Sequence, residues 1–224
     1  LLIGDVRSAT VFAVRDSAVG VITRPLFESL KCQNPELMAQ LARIALHRLQ
    51  RRTAMPGAFR GPDAVGFAVI AAGAPRGVVP LHGFAERLAS ALMAYGSTLH
   101  LNSARVGALL GAPGIAEVEA GDPVESVVVS WLRQQEQSHC YVIYEADEGW
   151  TAWTERCVRM ADRVLLVGPG GSAPVPTELD AHLQKHTEAT ATELVLLQPD
   201  RIARPSGTAA WLDYYPAADF GLVR

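Results

Sequence analysis

The sequence of 224 residues predicts an α/β fold built on a mainly parallel, doubly wound sheet. The main observation is a strand–helix–strand pattern at 139–170, in which apolar runs at 140–144 and 164–167 flank a helical segment. The second is that further apolar runs at 66–72, 97–101 and 193–197 are also separated by helical patterns. Because strands buried on both faces that alternate with helices are typical of parallel sheets, we expect five core strands.

The helices between these strands have their own signals. The helix of the central unit carries an apolar stripe at helical spacing, formed by Trp150, Trp153, Cys157 and Met160. Residues 80–95 form a second apolar stripe, and a short helix at 104–110 ends before a glycine. Asp122 is expected to cap a helix that has Pro123 at its first position and continues to about residue 137. A further helix is predicted at 175–187.

The first 64 residues differ in character from this α/β rhythm. Residues 1–30 contain short apolar strands, and Asn34 caps a predicted helix at 35–52 with apolar residues on one face. That face requires a partner: a missing domain core, a second protomer, or both, so a homodimer through 35–52 is one hypothesis. Residues 53–64 are rich in Pro, Gly and Ala, which indicates a linker. The predicted organisation is therefore 1–52, linker 53–64, α/β domain 65–213 and tail 214–224.

Composition excludes several classes of partner. The net charge is −3 and the largest basic group is the short cluster at 48–52, so we expect no nucleic-acid partner. The three cysteines lack CxxC spacing and suit a reducing compartment better than disulfides or zinc. No apolar run approaches the roughly 20 residues of a membrane span, which favours a cytoplasmic location, with peripheral membrane contact through a parent protein. Because the first residue is Leu1 rather than Met, we expect a fragment of a longer chain.

The loop at 73–80 stands where a phosphate-binding loop belongs, after the first strand and before a helix. A working P-loop, GxxxxGK[ST], uses a Lys to neutralise phosphates and a hydroxyl to hold Mg²⁺. Here those positions fall on Val79 and Pro80, so Gly73, Arg76 and Gly77 form at most a degenerate phosphate loop. Nucleotide hydrolysis is disfavoured, and a structural role for the loop is favoured.

Glu145, followed by Asp147 and Glu148, ends the strand at 140–144 and resembles an acidic end that positions Mg²⁺. Together with the loop at 168–171 it lies where a nucleotide would bind in such a sheet. Without the P-loop lysine, solvated turn carboxylates are the favoured interpretation. The sequence also lacks GxSxG and HExxH, and its six histidines are scattered, so neither a catalytic residue nor a metal site is expected.

The string Arg7-Ser8-Ala9 can clamp a cyclic phosphate, because a guanidinium forks onto two oxygens while Ser and amides complete the cage. LLIGDVRSATVFAVRDS, RPLFESL and NPELMAQLARIALHRLQRR together resemble the end of a cyclic-nucleotide-binding domain of the catabolite-activator type. In that family the phosphate-binding cassette ends in Arg-Ser/Thr-Ala, matched by Arg7, Ser8 and Ala9, and the last helix often dimerises. Val6 stands where Pro is frequent, and the cassette's upstream Gly-Glu is absent.

The remaining sequence resembles the segment between the cyclic-nucleotide-binding and patatin domains of neuropathy target esterase-like phospholipases. The matching strings are SWLRQQEQSHCYVIYEAD, WTERCVRMADRVLLVG, ELVLLQP and AAWLD. It also looks like a degenerate MinD/ParA-type P-loop ATPase, in which Glu145 replaces the Asp at a strand end. The final stretch, YYPAADFGLVR, departs from the family's usual His-rich end.

The resemblance implies a serine lysophospholipase whose patatin domain, with its GxSxG Ser and an Asp, lies after Arg224. This chain would then be a non-catalytic regulatory segment that docks on the patatin domain. No cofactor is expected in this chain itself, and a cyclic nucleotide is expected only in the intact protein. Two alternatives stay open: a MinD/ParA-like nucleotide-binding switch, and a dimerising scaffold without ligand.

Overall fold

The computed structural model describes residues 64–186, 191–199, 206–215 and 219–223, together with six residues between 21 and 29. The predictions for the cyclic-nucleotide-binding segment at 1–52, including Arg7, Ser8, Ala9 and the helix at 35–52, lie outside the described residues, apart from those six. So does nearly all of the predicted linker at 53–64. The described part of the α/β domain carries the fold and the candidate site.

The described strands form one six-stranded, all-parallel sheet. They are β1 Val65–Ala71, β2 Thr98–Leu101, β3 Tyr141–Glu145, β4 Arg163–Pro169, β5 Ala191–Leu197 and β6 Asp219–Val223. Their order in the sheet is β2-β3-β1-β4-β5-β6, which places β1 and β4 at the centre. The predicted α/β class with a parallel sheet is confirmed, and all five predicted strands are present.

The sixth strand, β6, is not among the predicted strands. It lies at the sheet edge, where Phe220 and Leu222 remain 53% and 43% exposed. Its position depends on backbone pairing with β5, in which Leu194 is opposite Phe220 and Leu196 is opposite Leu222. Because an edge strand of this kind buries little side chain, its apolar pattern is too weak to predict it from sequence.

Helices cover both faces of the sheet. They are α1 Leu81–Leu92, α2 Ser103–Leu109, α3 Glu125–Ser138, α4 Ala152–Met160, α5 Glu178–His186 and α6 Thr208–Tyr214, with a 3₁₀ turn at Ile115–Glu117. The first, α1, packs Leu81 and Phe84 against one face, over Val69, Ile143 and Val167. The larger core on the other face includes buried residues of the later helices, among them Leu132, Trp153 and Trp211. This arrangement agrees with the doubly wound interpretation.

Two helices begin later than their sequence patterns predict. The Asp122 carboxylate accepts a hydrogen bond from the Val124 N–H at 2.8 Å, so Asp122 closes a turn, and α3 begins only at Glu125. The helix predicted from residue 175 begins at Glu178, because Val175 precedes Pro176 and the residue before a proline is driven to extended conformations.

The central unit follows its predicted pattern with one change. Trp153, Cys157 and Met160 are buried along α4, as the apolar stripe requires. The change concerns Trp150, which precedes the N-cap Thr151 and stacks on His182 of α5 instead. Within the described residues, none of the helices has the length and apolar character that crossing a membrane requires.

Candidate functional site

The β1–α1 loop leaves the carboxyl end of a central strand, the edge at which ligands bind in parallel sheets. Gly73 and Gly77 have φ values of +58° and +77°, which favour glycine. The Gly73 N–H donates to the Asp180 carboxylate at 2.9 Å, and its carbonyl accepts from the Val175 N–H at 2.8 Å. The first amide of the predicted phosphate loop is therefore already bound by the protein itself.

Asp180 of α5 is fully buried and joins three segments of the chain. Besides the Gly73 amide, its carboxylate accepts hydrogen bonds from the Thr177 N–H and hydroxyl, both at 2.7 Å, and from the Tyr215 hydroxyl at 2.5 Å. Burial and this carboxylate raise the pKa of the Tyr215 hydroxyl far above its usual value, so it remains a donor. A negative charge at this position opposes phosphate binding at the same amide.

Trp211 of α6 explains why glycine stands at two positions of the predicted nucleotide edge, Gly73 and Gly168. The indole is fully buried, and its Nε1–H donates to the Ser172 carbonyl at 2.8 Å. Side chains at Gly73 or Gly168 would overlap its ring. These glycines are therefore required by an aromatic ring of the same chain.

A cavity of about 240 Å³ lies on the outer side of the loop. Arg76 and Gly77 line it from the loop, Trp150 lines it from the segment between β3 and α4, and His182 lines it from α5. The Trp150 ring stacks on His182 with a centroid separation of 5.0 Å and an interplanar angle of 12°. Val79, at the predicted lysine position, also lines the cavity and is 93% buried. Because this position holds no lysine, Arg76 is the one cationic side chain that the loop presents to the cavity.

Glu145 points away from this cavity and meets two histidines. His100 of β2 is opposite Ile143 of β3, so it shares a sheet face with Glu145, two residues further on. Its Nε2 lies 2.6 Å from Glu145 Oε2, and the Nδ1 of His82, in the first turn of α1, lies 2.9 Å from the same oxygen. The Glu145 carbonyl accepts from the buried Trp153 indole at 2.8 Å, which holds the end of β3 in place.

The two histidines determine the ionisation of Glu145. Burial raises the pKa of this carboxyl, but the hydrogen bonds and charges of His100 and His82 more than offset that effect and lower the net pKa. The hydrogen bond and charge of Glu145 in turn raise the pKa of His82, which is 60% exposed. The site therefore holds an ionised carboxylate against imidazole nitrogens.

The other carboxylates after β3 have separate roles. Asp147 accepts from the Ser103 hydroxyl at 2.7 Å and from the Thr151 hydroxyl at 2.8 Å, so it links the starts of α2 and α4. Glu145 is 92% buried, whereas Glu148 is exposed and lines the cavity. The expectation of three solvated turn carboxylates is therefore wrong for Glu145 and Asp147, because each is held by side chains from distant segments.

The structure thus separates the predicted site residues into two groups. Gly73, Arg76 and Gly77 share one loop, while Glu145 belongs with His82 and His100. In the sequence these histidines are scattered, since 18 and 45 residues separate neighbouring members of this triad. The pairing of β2 with β3 and the position of α1 bring them together, and no local sequence signal predicts either.

Comparison with known proteins identifies the domain. The model of the Neuropathy Target Esterase family P-loop like domain matches residues 69–217. The chain is 33% identical over 219 residues to neuropathy target esterase sws of Drosophila erecta, an alignment covering 94% of this chain and 15% of the relative. It is 31% identical over 227 residues to patatin-like phospholipase domain-containing protein 7 of Rattus norvegicus, covering 95% and 16% respectively.

A third relative, patatin-like phospholipase domain-containing protein 6 of Pongo abelii, is 31% identical over 220 residues, covering 92% of this chain and 16% of the relative. The chain thus spans about one sixth of the length of the curated relatives it matches. No solved structure matches it. The all-parallel sheet, the altered phosphate loop and the match to the domain model agree, and this chain belongs to the neuropathy target esterase family, whose P-loop like domain it contains.

Proposed function

We propose that this segment is a non-catalytic regulatory part of a patatin-type serine lysophospholipase. It couples cyclic-nucleotide-type sensing or docking to phospholipid hydrolysis by a catalytic domain elsewhere in the parent protein. Family membership supports the parent enzyme, since the relatives are named as an esterase and as patatin-like phospholipase domain proteins.

One observation carries the non-catalytic role: the P-loop-like edge is filled by the protein's own side chains. Asp180 binds the Gly73 amide, Trp211 covers Gly73 and Gly168, and Val79 stands buried at the position of the phosphate-binding lysine. An edge packed in this way supports a rigid surface for docking rather than phosphoryl transfer, which depends on charge and Mg²⁺ at that edge.

The regulatory role is tested in the parent enzyme by a substitution that destabilises this domain and leaves the patatin site unchanged. We expect Asp180→Ala to change the specific lysophospholipase activity or its response to cyclic nucleotide at least about twofold, because docking depends on a rigid domain. The matched control is Val127→Ala, a change on the exposed surface of α3. If the two variants hydrolyse lysophospholipid alike and respond alike, the domain is only a spacer and the proposal fails.

The cyclic-nucleotide part of the proposal depends on Arg7 and Ser8. An Arg–phosphate pair is commonly bidentate, so Arg7→Ala is expected to weaken cyclic-nucleotide binding by about tenfold or more in the parent protein. Isothermal titration measures this, and Arg15→Ala is the control for a nearby change of charge. Equal affinity of the parent protein and the Arg7 variant, or an absence of binding, contradicts this part of the proposal.

A nucleotide-binding switch of the MinD/ParA kind is the second candidate, favoured by the 240 Å³ cavity beside Arg76 and Trp150. It predicts ATP at Gly73–Gly77 with Mg²⁺ near Glu145. We expect Mg-ATP to leave the thermal midpoint of the 224-residue chain unchanged, because the loop lacks its lysine and hydroxyl. An increase of several degrees that Arg76→Ala abolishes would establish the switch instead.

A further inference from the structure

We propose that His82, His100 and Glu145 bind a divalent transition-metal ion, with Zn²⁺ as the best fit. This inference is independent of the regulatory function proposed above. The three side chains do not line the cavity beside Arg76, and their site requires neither nucleotide nor lipid.

The geometry of the three side chains is the first argument. They come from α1, β2 and β3, and each offers one ligand atom, all within 4.8 Å of one another. In the part of the chain that the structure describes, these three form the group of His, Cys, Asp or Glu side chains whose ligand atoms lie close enough together to hold a metal ion. Two imidazole nitrogens and a carboxylate oxygen are the protein ligands of many zinc sites that keep a fourth position open.

The supports of these side chains are the second argument. His100 is 91% buried in β2, and the end of β3 that carries Glu145 is fixed by the Trp153 indole. His82 directs Nδ1 toward Glu145, and its Nε2 lies 3.4 Å from the Glu86 carboxylate, one helical turn further along α1. Metal-binding histidines commonly present their second ring nitrogen to a carboxylate in this way, which sets the orientation of the ring.

The distances fit an ion after a small adjustment. Zn–N and Zn–O bonds of about 2.0–2.2 Å in a tetrahedron separate ligand atoms by about 3.3–3.5 Å. The present separations of 2.6 and 2.9 Å from Glu145 Oε2 therefore need to lengthen by about 0.8 and 0.5 Å respectively. His82 can supply the smaller of these movements, because its side chain is 60% exposed at the start of α1, whereas the larger one falls to the buried side chains of His100 and Glu145.

The donor set determines the class of metal. Mg²⁺ and Ca²⁺ prefer oxygen ligands throughout, whereas imidazole favours Zn²⁺, Cu²⁺, Ni²⁺ or Fe²⁺. Binding requires an ionised carboxylate and two unprotonated imidazole nitrogens, so the protons that His82 Nδ1 and His100 Nε2 hold against Glu145 leave to solvent or move to the other ring nitrogen. A bound ion would join the start of α1 to β2 and β3, and its open position would face solvent beside His82.

The test is titration of the chelator-treated 224-residue chain with Zn²⁺ by calorimetry, and with Co²⁺ by visible absorption. We expect one site, with Co²⁺ bands of a low-coordinate nitrogen and oxygen environment. His82→Ala is expected to weaken the affinity at least about tenfold, and Glu145→Gln by a similar factor, since each removes or weakens one ligand. Because His82 is exposed, its variant should retain the fold, and far-UV circular dichroism checks this.

The matched control is His186→Ala, which removes an exposed histidine of α5 one turn from His182. It should leave the affinity of the site unchanged. The proposal is overturned by binding weaker than about 10 µM, by loss of binding in His186→Ala but not in His82→Ala, or by a Co²⁺–thiolate band, which assigns the ion to a cysteine instead. None of these results depends on Mg-ATP or on lysophospholipid, so each proposal can fail separately.

Discussion

Replacing Asp180 by alanine removes the carboxylate that ties the β1–α1 loop to α5 and α6. The native side chain is fully buried and accepts four hydrogen bonds, from Gly73, from Tyr215 and twice from Thr177. Alanine leaves the Gly73 amide and the Tyr215 hydroxyl buried without this acceptor. We therefore expect this single change to destabilise the domain more than other polar substitutions at the same edge.

The magnitude follows from the donors that lose their partner. A buried donor without an acceptor costs about 1–3 kcal/mol, which applies to Gly73 and to Tyr215. Loss of the hydrogen bonds at Thr177, the start of α5, adds about 1 kcal/mol, as for other helix caps. Removal of a buried charge offsets part of this, so the free energy of unfolding should fall by about 3–5 kcal/mol.

The measurement is urea unfolding of the 224-residue chain, followed by tryptophan fluorescence, which reports on Trp153 and Trp211 in the core. Tyr215→Phe is the matched variant, since it removes one donor, keeps the carboxylate and should cost only about 1–2 kcal/mol. A loss below about 1 kcal/mol for Asp180→Ala, or equal losses in both variants, would refute the view that Asp180 organises this edge.

Two further predictions follow from the same structure. Gly168→Ala should lower the free energy of unfolding by about 1–3 kcal/mol, because the new methyl group overlaps the Trp211 ring. Gly77→Ala has open space around its new Cβ and should cost only the backbone strain, about 1–2 kcal/mol. The order of the two urea midpoints checks this. The stability lost in His82→Ala, measured with chelator present, should depend on pH. The folded-state pKa of His82 is raised above 6.5, so its contribution is complete below pH 6.5 and disappears as the pH rises through the raised value. The pKa of Glu145 is lowered below its ordinary value of 4.5. The stability that the pair contributes is therefore complete above pH 4.5 on the Glu145 side, and it is lost as the pH falls through the lowered pKa. A pH-independent difference between the two proteins contradicts the pairing.

Much of the fold follows from local patterns. The five predicted strands are present because each is a short, β-branched or apolar run whose burial on both faces leaves a clear signal, as in β3 and β4. Helix starts are less predictable, since a side chain such as Asp122 can close a turn before the helix as easily as cap it. The edge strand β6 escapes prediction because pairing with β5, rather than burial of its side chains, determines it.

The candidate site is likewise predictable from the sequence only in part. Residue identities suffice to show that Val79 and Pro80 replace the lysine and hydroxyl of a phosphate loop, because that chemistry depends on the functional groups themselves. They do not show that Asp180 and Trp211 fill the same edge. That fact depends on the packing of α5 and α6 against the β1–α1 loop, with a sequence separation of 107 residues for the Gly73–Asp180 hydrogen bond.

By itself, the sequence determines the α/β class, most of the strands, the replacement of the P-loop lysine and hydroxyl by Val79 and Pro80, and the resemblance to the neuropathy target esterase family. These properties reside in local runs and in the identity of single residues. Only the tertiary structure decides that Glu145 meets His82 and His100 rather than solvent. The reason is physical: the register of β2 against β3 and the position of α1 set those distances, and no local periodicity encodes contacts between side chains 45 and 63 residues apart.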